Sequence, residues 1–237
     1  MEKIFSSLDA VSDVPAFWDL LTSFFQGQGI LCFAAVHFPP VGAADQDNVR
    51  ARAVGFSDAW MQDYSESRFS DDPIRAQAKV SPVAFRWSEI REIRALSPSE
   101  EQFMQDFSGV YRGDGIAIPV FGPYGRNGFF GLALPAGVAV MPPDLFRLCK
   151  LVVQYAHQRY CELAAPEFEV HQPLSPRELE VLGWVARGKS NSVIASIIGV
   201  SSNTVDTHLR RIYGKLNVTD RVSAALAGLG HGLVSLP

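Results

Sequence analysis

Three groups of residues in this 237-residue chain have types and spacings that suggest chemistry. One is an aromatic and acidic series, Trp60, Tyr64, Asp71, Asp72 and Trp87. Another is a run of polar and basic residues from Asn203 to Lys215. The third is the set of scattered histidines and cysteines. His37, His157, His171, His208 and His231 show no metal-ligand spacing, and Cys32, Cys149 and Cys161 form no CxxC or other paired spacing. We therefore expect reduced, mostly buried thiols, no disulfide framework and no metal. Asp71 and Asp72 are neighbours whose side chains diverge at a helix start, so they do not form a paired-carboxylate site. No serine or cysteine has a base near it in the sequence, and Gly122, Gly125 and Gly128 lack the following Lys-Ser/Thr of a phosphate-binding loop. The chain is expected not to be an enzyme.

The Asn203–Lys215 run belongs to a segment with its own charge balance. From Leu174 onward Arg177, Arg187, Lys189, Arg210, Arg211, Lys215 and Arg221 stand against Glu178, Glu180, Asp206 and Asp220. That surplus of three, in a chain of net charge −4, leaves −7 on the remainder. A small basic module on a larger acidic one fits a nucleic-acid reader with a separate control domain. Ser175, Pro176 and Glu178 make a capping box with proline at the first helical position, and that helix runs to Gly188. Ser190 caps a second helix with Ile194, Ile197 and Ile198 inward, ended by Gly199. Ser201 or Ser202 caps a third with Val205, Leu209, Ile212 and Leu216 inward, and Thr219 caps a fourth. Four short helices with tight turns predict a helix-turn-helix unit whose recognition helix spans 202–216. Asn203, Thr204, Asp206, Thr207, Arg210 and Arg211 face outward towards base edges and phosphates; Lys189 and Lys215 are placed for phosphates.

The first part mixes strand and helix signals. Helices are predicted at 15–26, over 57–69 with Ser57 as cap, from Asp72-Pro73, over 97–107, and over 142–165; strands at 29–38, 51–56 and in the segment VAFRW. GIAIPVFG and FFGLAL flank a glycine-rich hairpin turn. The expectation is an α+β fold: an N-terminal α/β/α sandwich with a central antiparallel sheet over 1–165, a linker over 166–173, and an all-α four-helix helix-turn-helix domain over 174–237. With 47% apolar and 19% charged residues the chain can bury a core. No run of residues is apolar enough to span a membrane and the N-terminus has acidic residues in place of a signal peptide's apolar stretch, so a cytoplasmic protein without membrane contact is expected.

Residues 174–221 resemble the LuxR-type DNA-binding domain. Leu174, Arg177, Glu178, Leu182, Gly188, Lys189, Ser190, Asn191, Ile194, Ala195, Ser201, Thr204, Val205, His208, Lys215, Leu216, Val218 and Arg221 stand at its pattern positions. Asp206 departs from it, because members often carry a basic residue there. The first 165 residues resemble the autoinducer-binding domain of quorum-sensing LuxR-type receptors through Trp60, Tyr64, Asp72-Pro73, Trp87 and Gly115.

That resemblance implies an N-acyl-homoserine lactone or similar signal as the effector, with no other cofactor. Asp72 would accept from the ligand amide N–H, Trp60 would donate to the lactone carbonyl, and Tyr64 would bond the acyl carbonyl or support Asp72. Trp87 and Phe103 would wall the lactone ring, with the tail among Ala34, Val36, Val54, Ile74 and Leu132. Phe56 replaces a tyrosine found in many members. The Tyr64–Asp72 interval is a residue shorter than in some, and Gly131 stands where some place a hydroxyl. The resemblance further implies a homodimer, paired through the long helix ending near Ala165, on a near-palindromic double-stranded DNA site, with RNA polymerase as a further partner. Three alternatives stay open at this point: an orphan or antagonist regulator that acts without ligand through DNA or heterodimer contacts, a sensor of an unrelated metabolite, and a sandwich in which Trp60, Tyr64 and Trp87 are core aromatics and Asp72 only a helix cap.

Overall fold

The computed structural model describes residues 2–43, 45–47, 49–134, 137, 138, 140–165 and 172–235. Most of the expected linker, residues 166–171, lies outside them. The chain divides into two compact units: Met1–Phe38, Arg50–Gly122 and Asn127–Leu163 form one, and Pro39–Val49, Pro123–Arg126 and Ala164–Pro237 the other.

The first unit is built on a five-stranded antiparallel sheet in the order β2-β1-β5-β4-β3, comprising β1 (Phe33–Phe38), β2 (Arg50–Val54), β3 (Phe85–Arg86), β4 (Gly115–Val120) and β5 (Asn127–Ala133). Helices α1 (Glu2–Ala10), α2 (Val14–Gly27) and α7 (Pro143–Leu163) pack together, with α7 on β4. The other face of the sheet carries α4 (Pro73–Val80), with α3 (Asp58–Asp63), α5 (Ile90–Ile93) and α6 (Pro98–Val110) completing that layer. The result is the expected α/β/α sandwich.

Local chemistry sets most helix starts. Asp13 accepts from the Ala16 N–H at 2.8 Å, Ser57 caps α3, and Ser97 with Glu100 forms a capping box ahead of Pro98. Three features differ from expectation. α1 was not anticipated, although Ile4 and Leu8 stand at helical spacing and are buried, with Phe5 against Tyr155. The strand expected over VAFRW shrinks to two residues because the chain turns into a helical turn at Trp87. The helix from Ser57 does not run on regularly either: after Asp63 it widens into a π turn over Tyr64–Arg68 and a 3₁₀ turn over Phe69–Asp71.

In the second unit α8 (Pro176–Ala186), α9 (Asn191–Ile198), α10 (Ser202–Leu216) and α11 (Arg221–Gly230) enclose a core of Val181, Leu182, Val185, Ile194, Val205, Leu209, Ile212 and Ala224. Gly199 ends α9 at φ 69° and Asn217 ends α10 at φ 53°, both left-handed caps. Ser201 is the cap of α10. Asp220, not Thr219, caps α11: its carboxylate accepts from the N–H groups of both Val222 and Ser223, at 2.8 and 3.0 Å, which a single hydroxyl matches less well. Ile197 was expected inward but is 46% exposed, because the buried stripe of α9 runs through Ile194 and Ala195 and residue 197 falls off it.

Glu178 holds this unit together. Its carboxylate is buried, completes the capping box with Ser175 and accepts from Lys215 Nζ at 2.7 Å, bolting α8 to α10. Burial pushes its pKa up, but the Lys215 ammonium and the Ser175 N–H and hydroxyl outweigh that and hold it below the usual carboxylate range. A lowered folded pKa gives stability that is present above the unfolded value and lost as pH falls through the folded one. We predict that Glu178→Gln destabilises this unit by about 2 kcal/mol at neutral pH, and that the difference from wild type shrinks on acidification. Hydrogen exchange on α8 and α10 measures both; equal protection in the two proteins at neutral pH contradicts the assignment.

Candidate functional site

One cavity in the first unit is lined by ten of the twelve residues expected around a ligand: Ala34, Val36, Phe56, Trp60, Tyr64, Asp72, Ile74, Trp87, Phe103 and Gly131. The period-two alternation of the strands builds its floor. Ala34 and Val36 of β1 lie opposite Gly131 and Phe129 of β5 in register, and all four face the cavity. The same parity removes two expected residues. Leu132 and Val54 both pair with Phe33, on the opposite face of the sheet, so the floor is made by Ala51, Ala53 and Phe129 in their place.

Asp72 is buried at the entrance to α4 and does two things there. Its Oδ1 accepts the N–H of Ile74 at 2.8 Å and of Arg75 at 3.1 Å, capping the helix, and its Oδ2 accepts the Tyr64 hydroxyl at 2.8 Å. The helix-cap alternative is thus true, and it is incomplete, because the same carboxylate lines the cavity. An ionised carboxylate offers about four lone-pair sites; three are taken, leaving one on Oδ2. Burial raises the Asp72 pKa, opposed by its hydrogen bonds and by the Arg75 charge. Burial also raises the pKa of Tyr64, and the neighbouring Asp72 carboxylate adds to it, so Tyr64 remains a hydrogen-bond donor.

Aromatic rings form the remaining wall. Trp60 lies 5.9 Å from Phe103 and 5.8 Å from Phe107, Phe103 stacks on Phe107 at 6.0 Å, and Trp87 meets Phe107 edge-on at 5.4 Å. Phe107 and Met61 were not foreseen. Nor was Arg68, whose guanidinium joins Asp63 to Asp106 and stands 5.7 Å from the Trp60 ring, fastening the π turn to α6. The Trp87 indole N–H is buried with no hydrogen-bond partner among the described residues. Its ring needs glycine beneath it: a Cβ on Gly115 would lie 2.5 Å from three Trp87 ring atoms, and one on Gly131 would lie 3.3 Å from Cζ2.

In the second unit Asn203, Thr207, Arg210 and Arg211 are exposed on α10, and Lys189 is exposed ahead of α9. Asp206 pairs with Arg210 at 2.7 Å, one helical turn on. Thr204 is half-buried, its hydroxyl 2.9 Å from that of the Ser201 cap. Lys215 corrects the expectation of a phosphate contact: its ammonium donates to Glu178 and to the Pro173 carbonyl at 3.1 Å. Arg221 donates to Asn191 Oδ1 at 2.9 Å and to the Lys189 carbonyl, bracing the turn before α9. The histidines and cysteines that show no ligand spacing along the sequence do meet in the fold. His37 on β1 and His157 and Cys161 on α7 bring three donor atoms within 4.8 Å of one another, all buried. Residues 120 positions apart in the sequence show no such spacing until the sheet and helix pack.

The glycine clearance makes a prediction. Gly115→Ala should lower the melting temperature of the first unit by several degrees, at about 1–3 kcal/mol for an overpacked site, and shift Trp87 fluorescence. Gly131→Ala should do less, since its shortest contact is longer, 3.3 Å against 2.5 Å. An unchanged melting temperature for Gly115→Ala argues against the stacked Trp87.

Comparison with known proteins agrees with both units. Residues 172–227 match the family described as bacterial regulatory proteins, luxR family, and residues 13–160 match the autoinducer binding domain. The chain is 28% identical over 185 residues to the quorum sensing-dependent transcriptional regulator RpaR of Rhodopseudomonas palustris, covering 78% of this chain and 75% of that protein. It is 27% identical over 184 residues to the transcriptional activator protein AhyR of Aeromonas hydrophila, covering 75% and 70%. Among solved structures, Escherichia coli SdiA superposes with a TM-score of 0.77 at 18% identity over 98% of this chain and 96% of that one; SdiA in complex with octanoyl-rac-glycerol gives 0.78 at 16% over 100% and 96%. The fold is shared at those low identities. With the autoinducer-binding match spanning more than half of its length and the DNA-binding match following it, the chain belongs to the LuxR family of quorum-sensing transcriptional regulators, which are not enzymes.

Proposed function

We propose that the cavity binds an N-acyl-homoserine lactone and that this binding controls how a homodimer of the chain occupies a near-palindromic promoter site in the cytoplasm, where it meets RNA polymerase. The observation that carries the ligand reading is a largely aromatic and aliphatic cavity, with Arg52 at its β2 side, into which one buried carboxylate, Asp72, offers a lone-pair site left on Oδ2. An acyl-homoserine lactone has the matching pattern. Its amide N–H fits the remaining Asp72 site, its carbonyls fit the indole donors of Trp60 and Trp87, and its acyl chain fits the small residues Ala34, Ala51 and Ala53 and the glycine at 131. A ligand carbonyl on the buried Trp87 N–H would remove a desolvation cost of about 1–3 kcal/mol. Phe56 supplies no hydroxyl, so the amide carbonyl has one donor fewer than in receptors with tyrosine there. Enclosure of the ligand stabilises the folded state by mass action.

On the DNA side, α10 would read the major groove, with Asn203, Thr207 and Arg210 towards base edges, Thr204 fixing the helix start, and Lys189 and Arg211 towards phosphates. Asp206 would orient Arg210 and neutralise part of its charge.

Three measurements test this. Thermal melts of the purified protein with acyl-homoserine lactones of graded chain length should rise by several degrees for one group, and Asp72→Asn should abolish the rise. No shift with any lactone, in a protein that still binds DNA, favours the orphan or antagonist reading, which the missing Phe56 hydroxyl supports. Lactone affinity should fall on acidification, beginning above the ordinary carboxylate range: the charged Asp72 is the better acceptor, its pKa is raised, and it is neutralised as pH drops. A flat pH profile through that range removes Asp72 from the amide. Finally, Arg211→Gln should reduce the log-affinity against log-salt slope by about one unit per protomer. Lys215→Gln should leave that slope unchanged while lowering stability; a reduced slope would return Lys215 to the phosphates.

A further inference from the structure

On the sheet face turned away from the ligand cavity, β1 and α7 meet at a polar cluster that the regulator reading does not use. Its members are His37 on β1, and His157 and Cys161 on α7. All three are buried, and one donor atom from each lies within 4.8 Å of the other two. We propose that His37, His157 and Cys161 form a binding site for a thiophilic closed-shell cation, with zinc(II) as the ion.

The geometry is near what the ion needs. His157 and Cys161 are four residues apart on one helix, the spacing by which helical residue pairs grip a single metal. Zinc bonds of about 2.3 Å to sulfur and 2.0–2.1 Å to imidazole nitrogen, at a tetrahedral angle, place the two donors roughly 3.6 Å apart; the observed Cys161 Sγ to His157 Nε2 separation is 3.8 Å. His37 approaches from the strand, its ring 5.6 Å from that of His157 and its donor atom within 4.8 Å of both others. Gly128 makes the approach possible. It pairs with His37 across the sheet, and a Cβ there would lie 3.1 Å from His157 Cε1.

A fourth ligand has room and a charge reason to bind. A cavity of about 120 Å³ adjoins the cluster, lined by His37, His157, Tyr160, Trp18, Arg50 and Arg52. Two guanidinium groups near a divalent ion are unfavourable unless the ion's charge is neutralised. The Cys161 thiolate supplies one negative charge, its proton passing to solvent as the ion binds. A hydroxide or chloride in the adjoining cavity supplies the other, and Arg50 and Arg52 favour that anion. Two imidazoles, one thiolate and one exchangeable ligand form a four-coordinate set suited to zinc. The bound ion would pin the last turns of α7 to the strand whose other face floors the ligand cavity.

The test uses the full-length chain without an affinity tag, stripped by chelator and titrated with cobalt(II), then with zinc(II). The expected result is one ion per chain, with a thiolate-to-cobalt charge-transfer band and tetrahedral ligand-field bands that zinc abolishes. Cys161→Ser and His37→Gln should remove the bands and weaken zinc binding by at least about 100-fold. Cys149→Ser, at another buried thiol of α7, should leave them intact. Absence of both bands and zinc retention in the wild-type chain overturns the site, as does their survival in Cys161→Ser or their loss in a folded Cys149→Ser. If Cys161→Ser does not fold, X-ray absorption of the zinc-loaded wild type decides: one sulfur and two imidazoles support the site, and any other donor set overturns it.

Discussion

A carboxylate excluded from water must have its oxygens satisfied, and in the sensing unit that requirement organises the cavity around Asp72. Proline at 73 fixes the backbone for a helix start and places Asp72 at the cap, where Oδ1 takes two backbone N–H groups. Oδ2 remains, and the Tyr64 hydroxyl meets it. Tyr64 opens the π turn, whose wider backbone is then fastened to α6 by Arg68 through Asp63 and Asp106. One hydrogen-bonding demand at the start of α4 thereby fixes the approach of α3 and α6, and with them the rings of Trp60, Phe103 and Phe107.

The second constraint is space. An indole cannot lie flat on a sheet whose strands carry side chains beneath it, so Trp87 occurs where Gly115 and Gly131 stand on adjacent strands. The same two glycines and the alanines of β1 and β2 leave the floor low, while helices supply the tall aromatic walls. A site of this kind is lined mainly by apolar residues, with Asp72 and Arg52 as its charged members, which suits an amphiphile with a hydrogen-bonding head.

What was legible in the sequence was local. Ser57, Asp72, Ser97, Ser175, Ser190 and Ser201 announce helix starts because a cap is read from its immediate neighbours, with a proline and an acid following within three residues at Ser97 and Ser175 and a proline at Asp72. The β4–β5 hairpin was legible for the same reason, and so were ten of the cavity's lining residues, through the spacing of the aromatic series and the resemblance it carries. Failures arose where the deciding partner is distant. Leu132 and Val54 are apolar strand residues like Val36, and only the register with Phe33 shows that they face the other way. Lys215 resembles a phosphate contact until Glu178, 37 residues earlier, is found beside it. Arg68 has no pattern of its own, since its partners Asp63 and Asp106 lie on different elements. α1 is the exception: Ile4 and Leu8 carried a helical signal that was readable locally.

The charges of the DNA-binding unit show the same dependence on partners. Counted along the chain, its surplus of three suggests an evenly basic surface, but pairing redistributes it. Lys215 is neutralised by Glu178 inside the fold, Arg221 is turned to a carbonyl and an amide oxygen, and Arg210 is half-neutralised by Asp206 on the exposed face of α10. The exposed cations of this unit with no acidic partner among the described residues are Arg187, Lys189 and Arg211, while the exposed face of α10 carries Asn203, Thr207 and an ion pair. On the proposed reading of α10 as the recognition helix, a face with weak net charge at its centre would gain little from phosphate attraction there, and discrimination would come from hydrogen-bond geometry at base edges. On that same reading the Asp206–Arg210 pair would hold Arg210 in one orientation and lower its attraction to any phosphate within reach, so that a residue unfavourable for affinity would contribute to selectivity.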